Sequence, residues 1–143
     1  MTINIISIGK LAEEWRPLVE KYKRKVGFYS ITNIIELKEN KDSKREIRIK
    51  KETEAILNAV PKGSDVILLS LKGKQYTSKE FTQFFEKANI TFVIGGSDGV
   101  DESLFSKKIS FSKMTFPHQM FRVILLEQIF RAFSIKNNSK YHK

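Results

Sequence analysis

The chain has 143 residues, which is the size of one domain and enough to bury a hydrophobic core. Its composition is 41% hydrophobic and contains no cysteine, which indicates a globular protein without disulfides or thiolate metal sites. The 26 Lys and Arg residues against 16 Asp and Glu give a net charge of +10, which favours a polyanionic partner such as RNA, DNA or an anionic membrane surface. An organism whose proteins are generally rich in lysine would produce the same charge. The charge therefore indicates a class of partner and does not indicate which reaction the protein catalyses.

Simple patterns exclude further classes of site and segment. Only His118 and His142 are present, so no histidine-rich metal site is expected. No apolar run approaches the about 20 residues that a transmembrane helix needs. Residues 1–5 lack the basic segment and apolar core of a signal peptide. We therefore expect a cytoplasmic protein with no bound metal and no membrane span.

The first half of the chain alternates strand and helix patterns. Residues 3–8 predict a buried strand that stops at Gly9, and residues 31–37 predict a second strand. Between them, apolar residues at helical spacing predict a helix that tolerates Pro17 only in its first turn. A mostly solvated helix is expected over about residues 43–60, because Ser43 followed by Glu46 resembles a capping box.

The second half continues the alternation. Residues 65–71 predict a strand with a continuous apolar centre, typical of a strand covered on both faces, and residues 72–74 predict a turn. Thr77 and Glu80 form a second capping-box pattern at the start of a helix. The remaining predicted elements are strands at residues 90–94 and 109–112, a short helix around 101–107, and a long helix over about 118–136. This order predicts one α/β domain with a mainly parallel sheet of five to six strands.

The long helix is apolar on most of its sides. Glu127, Arg131, Ser134 and Asn138 fall on one narrow polar strip. Such a helix must be covered on most sides, and the sheet of one small domain can cover only one of them. We therefore predict a homodimer packed through this helix.

Three glycines, Gly95, Gly96 and Gly99, follow the strand at residues 90–94. Ligands of parallel α/β sheets bind beyond the carboxyl ends of the strands, and glycines allow the backbone to approach them closely. A tight strand-to-helix turn explains the pattern equally well. The turn matches neither the dinucleotide-binding fingerprint nor a P-loop, so phosphate binding is poorly supported.

The segment at residues 111–118 carries two phenylalanines and a methionine in a predicted loop. Apolar loop residues need a cover, which can be the core, a partner or a planar ligand such as adenine. Arg122 falls on the apolar face of the long helix, so it must snorkel, pair with a carboxylate or meet a ligand. Arg131 lies four residues after Glu127, which predicts a surface ion pair.

The tail at residues 137–143 combines hydrogen-bonding side chains with an aromatic and an imidazole. On composition alone it is expected to be a frayed end. It is also one of four segments, residues 94–99, 111–118, 121–133 and 141–143, that together resemble the ribosomal RNA large-subunit methyltransferase H family. The resemblance spans the whole chain and is most specific over residues 90–143.

That family belongs to the SPOUT methyltransferases. The resemblance implies an α/β-knot fold, in which the C-terminal part of the chain forms a trefoil knot and the cofactor region covers about residues 65–143. It implies a homodimer that uses S-adenosylmethionine as methyl donor. The implied acceptor is N3 of a pseudouridine in large-subunit rRNA, presented by assembled ribosomes.

Matched by position, the family's cofactor contacts fall on Leu69, Gly95, Phe111, Ser112, Lys113, Met114, Thr115 and Phe116. Tyr141 and His142 match positions that serve the target nucleotide, within one subunit or across the dimer. The main departure is Ser97-Asp98, where many relatives have Pro-Glu.

The implied reaction suggests roles for three side chains. N3 must lose its proton, and His142 is the candidate general base. Tyr141 is a candidate to stack on the target base, and Arg122 to stabilise an imide anion or hold a phosphate. The alternative is a non-catalytic basic RNA-binding α/β module, which predicts RNA affinity without cofactor affinity. A flavodoxin-like nucleotide hydrolase is disfavoured because the chain lacks a P-loop and an acidic metal cluster.

Overall fold

The computed structural model describes residues 1–143. Five strands form one sheet: β1 (Thr2–Ile8), β2 (Ile31–Leu37), β3 (Asp65–Gln75), β4 (Asn89–Ile94) and β5 (Lys108–Ser110). The α-helices are α1 (Arg16–Val26), α2 (Arg45–Ala59), α3 (Ser78–Phe81) and α4 (His118–Lys136). Two 3₁₀ turns lie at Thr82–Glu86 and Glu102–Leu104. The predicted α/β alternation is confirmed.

The sheet has the strand order β2-β1-β4-β3-β5, and every neighbouring pair is parallel. Ile5 of β1 lies opposite Ile34 on one side and Phe92 on the other. Because all strands run the same way, their carboxyl ends meet at one edge of the sheet. This is the edge at which ligands of open parallel sheets bind.

Helices cover both faces of the sheet, as a parallel sheet requires. Successive side chains of β1 point to opposite faces. Ile5 packs in the larger hydrophobic core with residues of α1 and α4. Ile6 packs in a smaller core with Ile56 of α2 and Phe105.

The turn predicted at residues 72–74 is wrong. β3 runs on to Gln75, and its pairing with β5 is irregular between Leu69 and Lys74. The predicted helix around residues 101–107 is only the 3₁₀ turn Glu102–Leu104, and β5 is shorter than predicted. The irregular stretch of β3 depends on a strand that lies far away in the sequence, so no local pattern announces it.

One of the two predicted capping boxes is present. Thr77 and Glu80 exchange hydrogen bonds of 2.9 and 3.0 Å, and the bond from the Thr77 backbone holds the pKa of Glu80 below its usual value. The capping box at Ser43 is wrong, because α2 begins at Arg45 and Lys44 provides no side-chain cap. The Lys44 backbone N–H instead donates to Asp42 at 2.8 Å.

The bounds of α4 match the prediction. The ion pair between Arg131 and Glu127 is confirmed at 2.6 Å. The polar strip is narrower than predicted, because Ser134 is buried and donates to the carbonyl of Phe130. Half-buried apolar residues that belong to neither core, including Met120 and Ile135, lie on the same side of this helix as Glu127 and Arg131. No helix of the protein is both long and apolar enough to cross a membrane.

Candidate active site

A cleft of about 360 Å³ opens at the carboxyl ends of β4 and β5, beside the middle of β3. Three chain segments line it: residues 68–71 in β3, residues 94–100 from the end of β4 onward, and residues 109–112 with 115–116 from the end of β5 onward. The first two turns of α4 add His118 and Phe121. The cleft therefore lies where the parallel sheet predicts a ligand site.

Glycines shape the wall after β4. Gly96 and Gly99 form an isolated bridge, and Gly99 has a φ of +78°, a conformation that favours glycine. A methyl group at Gly95 would lie 3.1 Å from Val100, and one at Gly96 would lie 3.1 Å from Ile8. Side chains at these positions would have to displace their neighbours, so the glycines keep this wall thin.

Asp98 ties the glycine turn to α2. Its carboxylate accepts two hydrogen bonds from Arg48, at 2.8 and 3.3 Å, and Arg45 lies 3.7 Å away. The hydrogen bond from Arg48 lowers the pKa of Asp98. The Ser97-Asp98 sequence thus contributes an ion pair that positions the turn.

The predicted cofactor residues come together in the cleft, with two exceptions. The cleft is lined by Leu69, Gly95, Phe111, Ser112, Thr115 and Phe116. Lys113 and Met114 lie in the same loop but do not line the cleft, and the Met114 side chain is 72% exposed. Phe111 and Phe116 both pack against Phe121 of α4, so α4 supports the loop from below.

Ser70, Glu102 and His118 also line the cleft, and none of the three was among the predicted site residues. Ser70 donates to Glu102 at 2.6 Å, which joins the wall formed by β3 to the wall that follows β4. Lys108 lies 3.9 Å from the same carboxylate oxygen. Ser70 could have been found from its place directly after the apolar centre of a strand; Glu102 and His118 carry no comparable local signal.

The backbones of β3 and β5 approach each other closely beside the cleft. A methyl group at Gly73 would lie 2.5–2.6 Å from backbone atoms of Lys108 and Ile109. Real Cβ atoms do not approach backbone this closely, so only glycine fits where β3 passes β5. Because Ile109 also lines the cleft, this close approach fixes the position of the cleft wall.

Arg122 does not line the cleft. Its guanidinium is buried and donates to Glu36 at 2.6 Å and to the carbonyls of Gly9 and Ile8 at 2.6 and 3.1 Å. Burial lowers the pKa of Arg122, and the charge of Glu36 offsets part of that effect. Of the three predicted environments, the carboxylate pair is the one observed. The geometry makes Arg122 a positioning residue that joins α4 to the end of β1.

The tail is not the frayed end that its composition predicts. The Tyr141 hydroxyl donates to Glu127 at 3.0 Å, and its ring packs edge-on against Phe130. Burial and the contact with Glu127 raise the pKa of Tyr141 to about 12. Glu127 lies six positions beyond Phe121, the nearest residue of α4 that lines the cleft, which is about 9 Å of helix. The tail therefore packs on a different part of α4 from the residues that line the cleft of its own chain.

His142 contacts Arg131, whose Nη1 lies 3.1 Å from the ring Nδ1. A guanidinium can only donate, so Nδ1 accepts and a neutral ring carries its proton on Nε2. In this arrangement His142 offers a donor, and its lone pair is occupied. No group of three or more His, Cys, Asp and Glu side chains is arranged to hold a metal ion.

Comparison with known proteins identifies the family. A family model described as "Predicted SPOUT methyltransferase" matches residues 1–142. The ribosomal RNA large subunit methyltransferase H of Mycoplasmopsis synoviae (strain 53) is 57% identical over 144 residues, with 100% of both chains covered. The protein of the same name from Metamycoplasma arthritidis (strain 158L3-1) is 52% identical over 143 residues, and that from Clostridium perfringens (strain 13 / Type A) is 42% identical over 159 residues, both again with full coverage. The chain therefore belongs to the SPOUT methyltransferases and, within them, to the ribosomal RNA large subunit methyltransferase H family.

Proposed function

We propose that this protein transfers a methyl group from S-adenosylmethionine to N3 of a pseudouridine in large-subunit rRNA, acting as a homodimer on assembled ribosomes. The observation that carries the proposal is the convergence of three separated segments on one cleft. Leu69, Gly95 and the loop after β5 lie apart in sequence and line the same space. The names of the relatives supply the class of RNA.

The cleft suits S-adenosylmethionine in its chemistry. Leu69, Phe111 and Phe116 provide apolar surface for a planar adenine, and the glycine wall allows backbone N–H and C=O groups to approach it. Ser70 and Glu102 provide polar groups for hydroxyls or an ammonium group. Lys113 and Met114, with exposed side chains, would contribute through the backbone of the loop. When bound, this cofactor supplies an electrophilic methyl group.

The protein's contribution to methyl transfer would be positioning and removal of the N3 proton. His142 is the proposed base, and it can accept a proton only after its Nδ1 leaves Arg131. Tyr141 would stack on the target base once its ring leaves Arg131 and Lys25, which lie 4.8 and 5.6 Å from the ring centre. Both roles require the tail to move or to meet a cleft other than its own.

A homodimer would satisfy that requirement. Half-buried apolar residues of α4 that belong to neither core, including Met120 and Ile135, lie on the same side of the helix as Glu127 and Arg131, and a second copy would cover them. The tail packs on this same helix around Glu127 and Arg131. A partner docked on α4 would therefore meet the tail directly. The net charge of +10 would draw the dimer to rRNA phosphates.

The region at residues 65–143 is proposed to form the trefoil knot of the family. The proposal is supported by the match to the SPOUT family, together with the irregular pairing of β3 with β5 between Leu69 and Lys74 and the close backbone approach at Gly73.

Calorimetry with S-adenosylmethionine tests the cofactor site. We expect binding by the wild-type protein and loss of binding in Gly95→Val, whose side chain would meet Val100 and fill the cleft wall. Gly27→Ala, at the end of α1, is the matched control and should bind normally. Unchanged affinity in Gly95→Val would contradict the assignment, and RNA affinity without any cofactor affinity would favour the non-catalytic RNA-binding module.

Mass spectrometry of rRNA tests the acceptor. Large-subunit rRNA from cells that lack this gene should lose one methyl group from one pseudouridine. Restoring the gene should restore the methyl group, and an unchanged modification pattern would contradict the proposed reaction.

A further inference from the structure

A second pocket of about 180 Å³ opens beside the cleft. It lies between the end of β5, the start of α3 and the middle of α4. Tyr76, Phe81 and Phe111 give it aromatic walls, and Ser78 and Gln128 give it polar side chains. We call this space the amide pocket. Apart from Phe111, none of these residues belongs to the proposed cofactor site.

The Gln128 amide is fixed at both ends. Ser78 donates to Gln128 Oε1 at 2.8 Å, and Gln128 Nε2 donates to Glu127 at 2.9 Å. A carboxylate can only accept, so the nitrogen must face Glu127 and the amide cannot flip. One N–H and one oxygen lone pair remain without a protein partner. Gln128 therefore presents a donor beside an acceptor in a set orientation.

The size and walls of the amide pocket select a small planar ligand. Its volume of about 180 Å³ is well below the roughly 300–1,000 Å³ of pockets that take drug-sized molecules. Phe81 and Phe111 meet edge to face, at 82° and 5.8 Å between ring centroids. A single aromatic ring fits such a space, and its polar edge would meet the donor and acceptor of Gln128.

The position of the amide pocket links it to both halves of the proposed site. Ile109, Ser110 and Phe111 line the pocket and the cofactor cleft together. On the other side, Gln128 reaches the tail through Glu127, which accepts from Tyr141. The pocket thus lies between the methyl-donor cleft and the residues proposed to serve the target nucleotide.

A cation lies over one aromatic wall of the amide pocket. Lys74 Nζ lies 5.1 Å from the centre of the half-buried Tyr76 ring. A lysine over an aromatic ring suits a nucleotide, because the base can replace the lysine on the ring while the ammonium contacts a phosphate. Proteins read unpaired RNA bases by such stacking together with hydrogen bonds to the base edge.

We propose that the amide pocket binds one unstacked pyrimidine base of the RNA substrate, with Tyr76 as the stacking surface and Gln128 as the reader of the base edge. A uracil-type ring presents an N–H beside a carbonyl, which is the complement of the free groups of Gln128. The proposal rests on the function proposed above and adds a base-binding site to it.

The test measures methyl transfer to ribosomes from a strain that lacks the gene. Gln128→Leu and Tyr76→Leu should lower kcat/KM for ribosomes by roughly 5- to 150-fold, the equivalent of about 1–3 kcal/mol for one stacked base. Affinity for S-adenosylmethionine should not change, because neither residue lines the cleft. Gln83→Leu is the matched control: Gln83 is exposed, lies outside the amide pocket and should keep the wild-type kcat/KM.

Wild-type kcat/KM in both pocket variants would overturn the proposal. If Gln128→Leu lowers the affinity for S-adenosylmethionine by the same factor as it lowers kcat/KM, the proposal is also overturned, because the pocket would then belong to the cofactor site. If the wild-type protein transfers no methyl group, the proposed function fails instead. The base site is then tested by the affinity for oligouridine, which Tyr76→Leu should weaken about tenfold. An unchanged affinity for oligouridine would contradict the base site.

Discussion

Arg122 Nη1 lies 2.6 Å from Glu36 Oε2, and this contact joins the first turns of α4 to the end of β2. The same carboxylate oxygen accepts from the backbone N–H of Leu11 at 2.8 Å. The Arg122 side chain is 2% exposed and that of Glu36 is 36% exposed. The buried Arg122 guanidinium thus joins the β1–α1 loop to α4, the helix that packs against the loop after β5.

Arg122→Met should therefore destabilise the fold. Removing one partner of a fully buried ion pair costs about 3–5 kcal/mol; because Glu36 keeps contact with water, we expect about 2–4 kcal/mol here. Urea unfolding measures the change. Arg24→Met, at an exposed position of α1, is the control and should change the free energy of unfolding by less than about 0.5 kcal/mol.

Glu36→Gln separates a positioning role of Arg122 from a direct role on the substrate. If Arg122 acts by positioning α4, Arg122→Met and Glu36→Gln should both weaken cofactor binding, because each breaks the same ion pair. A fully stable Arg122→Lys variant with wild-type cofactor affinity and no methyl transfer would instead indicate that the guanidinium acts on the RNA.

Gly73→Ala should disrupt the close approach of β3 to β5. The added methyl group would meet backbone atoms at 2.5–2.6 Å, which cannot move as a side chain can. We expect at least the roughly 1–3 kcal/mol of an overpacked site, together with weaker cofactor binding because Ile109 lines the cleft. Thermal unfolding and calorimetry measure the two effects.

Gly63→Ala is the control for backbone strain alone. Gly63 has a φ of +80°, but nothing lies within 4 Å of an added Cβ. This variant should lose about 1–2 kcal/mol through strain and keep its cofactor affinity. If Gly73→Ala and Gly63→Ala lose the same free energy of unfolding and both keep their cofactor affinity, the close approach at Gly73 does not position the cleft wall.

Gly73 also illustrates what the sequence could predict and what it could not. The bounds of β2 and α4 follow from the periodicity of their own residues, and both match the structure. Between two lysines, Gly73 has the local pattern of a turn, yet it lies within β3. The reason is its approach to β5, a contact across more than thirty residues of chain that no local window contains.

The candidate site divides in the same way. The loop residues Phe111 and Phe116 could be predicted, because apolar side chains in a loop require a cover. The bond between Ser70 and Glu102 could not, because it joins two walls that only the strand order brings together. The packing of Tyr141 on α4 depends on Glu127 and Phe130 jointly, and tail composition carries no trace of it.

Asp98 should make stability depend on acid. Its pKa is lowered in the folded protein, chiefly by the hydrogen bond from Arg48. The stabilisation is therefore fully present above the unfolded pKa of about 3.9 and is lost as the pH falls through the lower folded value. Asp98→Asn should be less stable than wild type near pH 7, and the gap should close below about pH 4.

Glu80→Gln is the matched control for this pH dependence. The pKa of Glu80 is also lowered, by the capping box with Thr77, so its stability gap should close over a similar acid range. Only Asp98→Asn should also weaken cofactor binding, because Asp98 lines the cleft and Glu80 does not. Urea unfolding between pH 3 and 7 provides the comparison, and a gap for Asp98→Asn that is independent of pH would contradict the expectation.

His142→Ala should abolish methyl transfer and leave cofactor affinity unchanged. The reason is that the tail packs beside Arg131, about 14 Å or more of helix from the start of α4 that lines the cleft. Full activity in this variant would rule out a catalytic role for the imidazole. Lys143→Ala, at the neighbouring position, is the matched control and should retain activity.

Mixing two inactive variants tests whether the tail acts across the dimer. Gly95→Val has a blocked cleft and an intact tail, and His142→Ala has the reverse. In a mixed dimer, a tail that serves the partner's cleft leaves one site with both parts intact. Half of randomly assorted dimers are mixed and each has one intact site, so activity should return to roughly a quarter of wild type. If each tail serves its own cleft, every site carries one lesion and mixing should restore nothing. Native mass spectrometry of the mixture, which resolves the mixed dimer from the two parent dimers by mass, confirms that the subunits have exchanged and makes either result decisive.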